Sequence, residues 1–302
     1  MSRVLVLSGS RADYGYLKPI AAALAKRVEV DFERLEVNGT DDTPLSVSES
    51  AARALAEAGQ KLAANRPDMM LVCGDRWEIA SACLAASLAD VPIAHLGSGE
   101  RTAGAYDDRF RGSIEALATI KFALTVQGAA ACSGYLAGCT SVMAADPLPA
   151  NTTAIVALYP ETRGSLDPQL TRAICDMLTK RGLQTIVVGS NLDVGSNEFA
   201  GDSWELEKFH QRLARAAIIV GNSSAGIIEA PILCTPSVNI GTRQEGRPQA
   251  ESVFQCGHVP AGIELAVDQA LAFGKRRVDS PYYNPNAVEV VTNVLCSHLG
   301  VD

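Results

Sequence analysis

The chain has 302 residues, which is enough for about two domains that each bury a hydrophobic core. Hydrophobic residues make up 47% of the chain and charged residues 20%, a composition that excludes a disordered chain and a fibrous repeat. The net charge of -8 argues against a nucleic-acid-binding surface and against binding to an anionic membrane surface. Any phosphate that this protein binds must therefore be held by local groups.

The eight cysteines form no CxxC pair and have no metal-ligand spacing with the four histidines. We therefore expect buried free thiols, no metal site and a reducing compartment. The first residues lack the order of a secretory signal, and no apolar run reaches the length of a membrane-spanning helix. The expected location is the cytoplasm. Because the first strand exit also lacks the GxGxxG spacing, we expect no redox cofactor.

In the first half of the chain, short runs of valine, isoleucine and leucine alternate with longer stretches rich in alanine and leucine. This alternation is typical of parallel strands that helices cover on both faces. The pattern predicts strands at 3–7, 28–37, 69–73, 92–96 and 122–126, and helices at 17–26, 46–65, 77–89 and 108–119. A small-residue stretch with two prolines then interrupts the pattern at 128–153, and we interpret it as a linker or a loop.

The alternation begins again in the second half. It predicts strands at 153–158, 184–188, 217–220 and 237–240, and helices at 170–181, 204–215, 224–233 and 286–298. The fold class is therefore α/β, with two doubly wound, Rossmann-like lobes. We place the first lobe at 1–150 and the second at 151–283. Such lobes bind ligands where loops leave the carboxyl ends of the strands, and we expect the ligand in the cleft between the lobes.

Two strand exits in the first half carry charged residues. The first strand is followed by SGSRADYGYL, whose small residues permit a tight turn and present Arg11 at the start of a helix. The third strand is followed by GDRWE, with Asp75 and Arg76 at the strand end. Asp75 is either a cap for the next helix or a carboxylate of the ligand cleft.

The fourth strand leads into the glycine-rich loop GSGERTAGAYDDRFRG, which has a high density of acids and bases. Its charged residues are Glu100, Arg101, Asp107, Asp108, Arg109 and Arg111. Such a density at a strand exit indicates a functional site. The alternative is that Asp107 or Asp108 is only the N-cap of the following helix, because caps favour aspartate.

The strongest local pattern is AIIVGNSSAGIIEAPILCTPSVNIGTRQEGR in the second half. A strand ends, and Ser223 and Ser224 then begin an apolar helix whose free backbone N–H groups favour an anion. Glu229 is placed to accept hydrogen bonds from ribose hydroxyls. The next strand delivers Arg243 and Arg247, a guanidinium pair suited to a diphosphate. The alternative is a capped helix followed by a solvated basic loop.

The segments GDRWE, HLGSGERTAGAYDD, GNSSAGIIEAP and GTRQEGR resemble the hydrolysing UDP-N-acetylglucosamine 2-epimerases, in particular the branch of the sialic acid pathway. The similarity extends from SGSRADYG near the start to YYNPNAVEVVTNVL near the end. It implies two Rossmann-like lobes of the GT-B type, with UDP held by the second lobe and the sugar between the lobes. It also implies that a final helix, within 284–302, packs back on the first lobe. We expect a homodimer.

In that family, UDP leaves the sugar by elimination across carbons 1 and 2, and water then adds to the resulting 2-acetamidoglucal to give N-acetylmannosamine. The resemblance implies an acid–base role for Asp75 and Asp107, with Asp108 beside them. It implies nucleotide binding by Arg11, Ser223, Ser224, Glu229 and Arg243, and we add Arg76, Arg111, Asn191 and Arg247 to the substrate-binding set. The expected partner is a UDP-sugar, with no cofactor.

This chain departs from the family pattern at two positions. The family loop usually reads HIEGGE, whereas HLGSGE puts Gly97 at the first glutamate and keeps the second as Glu100. The family also has a histidine at the start of the second lobe, where this chain has Tyr159.

Three functions therefore stay open. The first is a hydrolysing 2-epimerase in which Glu100 and Tyr159, with Asp75 and Asp107, take over the missing catalytic roles. The second is an enzyme of the same fold with altered chemistry, such as elimination, hydrolysis or transfer, on another nucleotide-sugar or nucleoside. The third is a nucleotide-binding protein without turnover.

Overall fold

The computed structural model describes residues 1–35, 44–159, 168–188 and 206–301, without the side chains of Arg11, Ala12 and Pro44. The chain divides into two compact units. The first unit comprises Met1–Arg101, Asp107–Ser141 and Asn284–Asp302, and the second comprises Thr102–Tyr106 and Val142–Tyr283.

A parallel sheet forms the centre of the first unit. Its described strands are β1 (Arg3–Ser8), β2 (Glu29–Arg34), β3 (Met69–Cys73), β4 (Ile93–Leu96), β5 (Ile120–Ala123) and β6 (Tyr135–Leu136). Their order across the sheet is β2-β1-β3-β4-β5-β6, so the strand order reverses between β1 and β3. Strands β3 and β4 are buried along their whole length, as expected for a parallel sheet that is covered on both faces.

Five helices of the first unit follow these strands in sequence. They are α1 (Arg11–Leu24), α2 (Pro44–Ala64), α3 (Trp77–Leu88), α4 (Asp108–Leu117) and α5 (Val126–Cys132). The predicted helix at 17–26 begins earlier, because the Ser10 hydroxyl accepts a hydrogen bond from the Asp13 N–H (3.2 Å) and caps α1 at Arg11.

The interpretation of 128–153 as a linker or loop is wrong at its start. Residues of this stretch form most of α5 and all of β6, and the Thr125 hydroxyl caps α5 by accepting the Gly128 N–H (3.0 Å). The helix is only seven residues long, which is too short for a clear hydrophobic period in the sequence.

The second unit has a parallel sheet of its own. Its described strands are β7 (Thr153–Ala157), β8 (Gln184–Val187), β9 (Ile218–Gly221), β10 (Ser237–Ile240) and β11 (Val253–Cys256). Its described helices are α6 (Pro168–Lys180), α7 (Leu206–Leu213), α8 (Glu229–Ile232) and α9 (Pro260–Phe273). The strand order β11-β10-β9-β7-β8 reverses between β7 and β9. Strand β11 and helix α9 were not among the predicted elements.

The predicted continuous helix at 224–233 is wrong. A 3-10 turn at Ser224–Gly226 and the four-residue α8 take its place. Pro231 explains the break, because it has no N–H to donate to the carbonyl of Ile227 and its ring clashes with that carbonyl. The two serines therefore lie at an irregular turn rather than at the N-terminus of a long helix.

The C-terminal helix α10 (Ala287–His298) belongs to the first unit and packs against α1. Arg27 donates a hydrogen bond to the Asn293 side chain (2.8 Å), and the Asn284 amide donates to the Ala137 carbonyl (2.9 Å). The side chain of Leu295 is fully buried. The last part of the chain is therefore integral to the core of the first unit.

Within the described ranges, no helix is long and apolar enough to cross a membrane. All eight cysteines lie in described residues and are free thiols, and most of them are buried.

Leu295→Ala is expected to lower the free energy of unfolding by about 2 to 5 kcal/mol, the usual cost of truncating a fully buried leucine. Leu88→Ala makes the same chemical change at a leucine that is 75% exposed, and should cost less than about 0.5 kcal/mol. Urea unfolding of the full chain measures both changes. Equal destabilisation by the two variants would contradict the packing of α10 into the core.

Candidate active site

One buried guanidinium organises the carboxyl end of the first sheet. Arg111 in α4 forms an ion pair with Asp75, which directly follows β3. Its Nη1 donates to the Gly97 carbonyl after β4 (2.7 Å), and its Nε donates to Asp108 (3.3 Å). The Arg111 side chain therefore joins two neighbouring strand exits to the first turn of α4.

The environment of Arg111 keeps this side chain charged. Burial alone lowers the pKa of the guanidinium, but the nearby Asp75 and Asp108 outweigh burial and raise the pKa. Removing one partner from a buried ion pair of this kind typically costs about 3 to 5 kcal/mol, because the other charge is left uncompensated. The helix-cap interpretation of Asp75 is wrong, since Arg76 is the N-cap residue of α3 and the Asp75 carboxylate binds Arg111.

Asp107 and Asp108 begin α4, and neither acts as a side-chain cap. Asp107 occupies the N-cap position, but its backbone is already helical and its side chain makes no capping hydrogen bond. Asp108 faces Arg111 instead. Both aspartates are partly exposed, and the neighbouring Arg109 is exposed. Asp108 is therefore a partner of Arg111, and neither carboxylate caps α4.

Glu100 makes its hydrogen bonds outside this group, although its charge also raises the pKa of Arg111. Its Oε1 accepts hydrogen bonds from the N–H groups of Leu124 and Thr125 (3.1 and 3.0 Å) and from the Thr125 hydroxyl (2.9 Å). The residue is 3% exposed. These contacts anchor Glu100 between β5 and α5 through one carboxylate oxygen, and the expected catalytic role of Glu100 stays a prediction.

Gly97 has a left-handed backbone with φ +96°. A Cβ at this position would make only ordinary van der Waals contacts, with Arg111 Nη1 at 3.7 Å and the Gly74 nitrogen at 4.0 Å. The backbone and not crowding therefore favours glycine, since a side chain there costs about 1 to 2 kcal/mol. A glutamate cannot simply be restored at this position.

His95 is a buried structural histidine that the sequence did not single out. Its Nε2 lies 2.6 Å from the Gly74 carbonyl oxygen, so Nε2 carries the proton, and Nδ1 accepts from the Ser98 hydroxyl at 2.7 Å. Burial lowers the pKa of His95 to about 4. The neutral imidazole therefore ties β4 to the turn after β3.

Arg76 and Glu78 form a second ion pair beside Asp75. The Arg76 guanidinium contacts the Glu78 carboxylate at 3.0 Å, and Glu78 is fully buried at the start of α3. The expected ligand-binding side chain of Arg76 is thus already engaged within the protein. The side chain of Arg11, which was also expected at this edge, lies outside the described residues.

Asp13 is the functional candidate that the sequence reasoning missed. It lies in the first turn of α1 and is only 7% exposed. Burial raises its pKa to about 7, and the nearby carboxylates of Glu78 and Asp75 add to this effect against the Ser10 hydroxyl and Arg76. The sequence carried a signal, since Asp13 is an acid in the strand exit SGSRADYG, although Arg11 was the residue expected to act there.

In the second unit, Asn222 fixes Tyr159. The Asn222 side chain accepts the Tyr159 N–H through Oδ1 (2.7 Å) and donates from Nδ2 to the Tyr159 carbonyl (2.8 Å). These two residues follow β9 and β7, the strands between which the order of the second sheet reverses. Asn222 was not among the site residues that the sequence predicted, because its partner Tyr159 is distant in the chain.

Basic residues after β10 converge on the same asparagine. Arg243 and Gln244 donate to the Asn222 carbonyl at 3.2 and 2.9 Å, and Arg247 donates to the Gln244 side chain at 2.8 Å. The Arg243 guanidinium also lies 5.3 Å from the centre of the Tyr159 ring. The two predicted arginines are therefore held by the protein and do not form a freely solvated loop.

Ser223 and Ser224 are partly exposed at the irregular turn after β9. The Ser223 hydroxyl accepts the Ala225 N–H (3.3 Å). Glu229 is buried at the start of α8. Asn191, which was expected to bind substrate, lies outside the described residues. Among the described residues, no group of three or more histidine, cysteine, aspartate or glutamate side chains could hold a metal ion.

Two Rossmann-like α/β units, each with polar residues where its strand order reverses, define a protein of the GT-B fold class. A family model described as UDP-N-acetylglucosamine 2-epimerase matches residues 1–131 and 186–296. The chain therefore belongs to the UDP-N-acetylglucosamine 2-epimerase family.

Relatives agree with this assignment at low identity. The chain is 25% identical to a UDP-N-acetylglucosamine 2-epimerase of Neisseria meningitidis, over 93% of this chain and 91% of that one. It is 24% identical to polysialic acid biosynthesis protein P7 of Escherichia coli, over 95% and 92%. The crystal structure of the Methanocaldococcus jannaschii UDP-GlcNAc 2-epimerase in complex with UDP-GlcNAc and UDP has the same fold, with a TM-score of 0.80, 16% identity and coverage of 98% and 99%.

Asp13→Asn is expected to become more stable than the wild type as the pH rises. Burial raises the pKa of Asp13 from 3.8 to about 7, so the wild type keeps its full stability only below about pH 4 and loses stability as the pH rises through about 7. The pKa difference corresponds to roughly 4 kcal/mol. Urea unfolding at a series of pH values measures the difference.

Asp268→Asn is the matched control on the surface. A hydrogen bond from Arg181 lowers the pKa of Asp268, so the wild type should lose its small advantage over this variant as the pH falls, the opposite direction. A stability difference between wild type and Asp13→Asn that does not change with pH would show that Asp13 is ionised in the ordinary range.

Proposed function

We propose that this protein is a hydrolysing 2-epimerase of UDP-N-acetylhexosamines, with UDP-N-acetylglucosamine as the first substrate to test. The observation that carries the proposal is the buried Arg111, which holds Asp75 and Asp108 at the carboxyl end of the first sheet in a chain of this family. Buried charges are costly to keep, so a chain that no longer used them would gain little from retaining them.

The chemistry requires a base and an acid. In the elimination, a carboxylate removes the proton from carbon 2 of the sugar, the electron pair forms the double bond to carbon 1, and the bond from carbon 1 to the UDP oxygen breaks. In the hydration, water adds its oxygen to carbon 1 and a proton returns to carbon 2 from the opposite face. We assign these proton transfers to Asp75 and Asp107, and the orientation of Asp75 to Arg111 and Asp108.

The departing UDP needs groups that stabilise its charge. We assign this role to Ser223, Ser224, Arg243 and Arg247 of the second unit, and ribose binding to Glu229. The contacts of Arg243 and Gln244 with the Asn222 carbonyl support a preformed arrangement, which reduces the entropy lost on binding. The side chains of Arg11, Arg76 and Asn191 remain in the proposed substrate-binding set.

Gly97 and Tyr159 favour a second candidate, elimination that is not followed by hydration. A tyrosine has a reference pKa of about 10 and cannot act as an imidazolium near neutral pH, although it donates a hydrogen bond to a phosphate or sugar oxygen. In this candidate, Glu100 keeps the structural role that its contacts with Leu124 and Thr125 support. The free glycal would then be the product.

Arg243→Ala is expected to weaken UDP binding by about 1.5 to 3 kcal/mol, the scale of a hydrogen bond to a charged group. Arg172→Ala removes an exposed arginine from α6 of the same unit and should leave the affinity unchanged. Isothermal titration calorimetry with UDP measures both. Equal affinities for wild type and Arg243→Ala would remove Arg243 from the nucleotide site.

Asp107→Asn is expected to lower kcat by about 100-fold or more, while UDP affinity and the melting temperature stay close to those of the wild type. The reason is that Asp107 makes no capping hydrogen bond and that asparagine keeps the size of the side chain, so the change removes proton transfer while the start of α4 is kept. Arg109→Gln alters an exposed neighbour and serves as the control. A large loss of stability in Asp107→Asn would instead support the alternative that Asp107 serves only the start of α4.

The reaction itself is tested with UDP-N-acetylglucosamine in deuterated water, followed by proton NMR. Free N-acetylmannosamine with deuterium at carbon 2 is the expected product. Accumulation of 2-acetamidoglucal without hydration would replace the proposal with the second candidate. Unchanged substrate, together with measurable UDP binding, would contradict both and indicate a binding protein.

A further inference from the structure

Asp13 lies where the first sheet offers a ligand site by topology alone. The strand order of this sheet reverses between β1 and β3, and ligands of doubly wound sheets bind in the crevice outside the carboxyl ends of the strands at such a reversal. Asp13 follows β1, and Gly74 and Asp75 follow β3. The two sides of the crevice therefore each contribute a carboxyl group.

The Asp13 carboxyl is packed closely against the turn after β3. A Cβ on Gly74 would lie 2.9 Å from Asp13 Oδ1, and the Gly74 backbone has φ +91°. Glycine at position 74 thus permits the approach of the carboxyl to the chain. Asp13 is 7% exposed, and its Oδ2 has no hydrogen-bond partner among the described residues.

A helix-capping role explains only part of these contacts. Ser10 accepts the Asp13 N–H, and the Ser10 side chain also hydrogen-bonds the Asp13 carboxyl. These interactions account for the start of α1. They leave Oδ2 buried without a partner, and an orphaned polar oxygen of this kind typically costs about 1 to 3 kcal/mol. Such a group calls for an explanation, and a hydrogen bond to a bound ligand supplies one.

Burial favours the neutral form of Asp13; among the nearby charges, Arg76 lowers the pKa of Asp13, and Glu78 and Asp75 raise it. Arg76 is held by Glu78, and Arg111 is held by Asp75, so both described cations near the crevice already have carboxylate partners. The acids that face Asp13 are Asp75 and Glu78, and the buried thiol of Cys73 lies in the same environment. The side chain of Arg11 on the same helix is outside the described residues.

A neutral carboxyl group is a hydrogen-bond donor, whereas a carboxylate only accepts. We propose that Asp13 donates a hydrogen bond from Oδ2 to a sugar oxygen that only accepts hydrogen bonds, the acetamido carbonyl oxygen of the bound nucleotide-sugar. Asp13 is then a substrate-binding residue of the first unit, distinct from the ionised Asp75 beside it. The inference rests on the proposed function for the identity of the sugar.

The affinity for the sugar part of the ligand should therefore depend on pH. As Asp13 loses its proton near neutral pH, the donor disappears and a carboxylate faces the ligand oxygen. The affinity for UDP should not depend on the protonation of Asp13, because UDP lacks the sugar. Asp13→Asn keeps a donor of the same size without a titrating proton, and Asp13→Ala removes the donor altogether.

The test compares wild type, Asp13→Asn and Asp13→Ala with UDP-N-acetylglucosamine and with UDP, at about pH 6 and about pH 8.5. The affinity for the sugar nucleotide is taken from KM where turnover occurs and from calorimetry where it does not. A wild type that turns nothing over would therefore count against the proposed function while the role of Asp13 is still measured. Melting temperatures verify that each variant is folded.

The wild type is expected to lose about fivefold in affinity for UDP-N-acetylglucosamine between the two pH values, the scale of one neutral hydrogen bond. Asp13→Asn should bind this ligand equally well at both pH values, and Asp13→Ala should bind it about fivefold more weakly than the wild type at pH 6. All three proteins should bind UDP alike at a given pH.

Two results would overturn the inference. In the first, both variants keep the affinity and the pH dependence of the wild type, so that Asp13 serves only the start of α1. In the second, Asp13→Asn keeps the affinity and the pH dependence of binding but loses kcat, which would make Asp13 a proton-transfer group rather than a binding donor.

Discussion

The buried guanidinium of Arg111 is the constraint on which the first unit depends. It binds Asp75, Asp108 and the Gly97 carbonyl, which come from three separate stretches of chain. A charge that is 2% exposed cannot be left without partners, so these stretches must converge in one arrangement. Asp13 lies in the same region, where its carboxyl packs against Gly74 in the turn after β3. Asp75 is thus held by this cation, whereas burial raises the pKa of Asp13 to about 7.

Hydrogen bonds hold the strand exits of the second unit together, whereas a buried charge does so in the first unit. Its sheet also reverses strand order between two strands, and there Asn222 holds both backbone polar atoms of Tyr159. The Asn222 carbonyl in turn accepts hydrogen bonds from Arg243 and Gln244. An uncharged amide can bind donors and acceptors at once, so it orders these residues without adding negative charge. The two units thus have the same topology but different electrostatics.

The sequence predicts most strands and the charged strand exits, because buried parallel strands are continuous apolar runs and charges beside them are conspicuous. It could not separate Glu100 from Asp75, since both are acids at strand exits and only distant partners, Thr125 and Arg111, distinguish them. Asp13 was missed because its burial depends on packing against Gly74. The prediction of a continuous helix at 224–233 was wrong because the single Pro231 interrupts an apolar pattern that otherwise indicates a helix.

The measurement that tests this account most directly is an NMR titration of protein labelled with carbon-13 at the aspartate carboxyl groups, for wild type and Asp13→Asn. The account predicts one resonance that titrates near pH 7 in the wild type, because burial raises the pKa of Asp13 to about 7, and the absence of this resonance from the variant. Titration of every aspartate in the ordinary range near pH 4 would contradict the account.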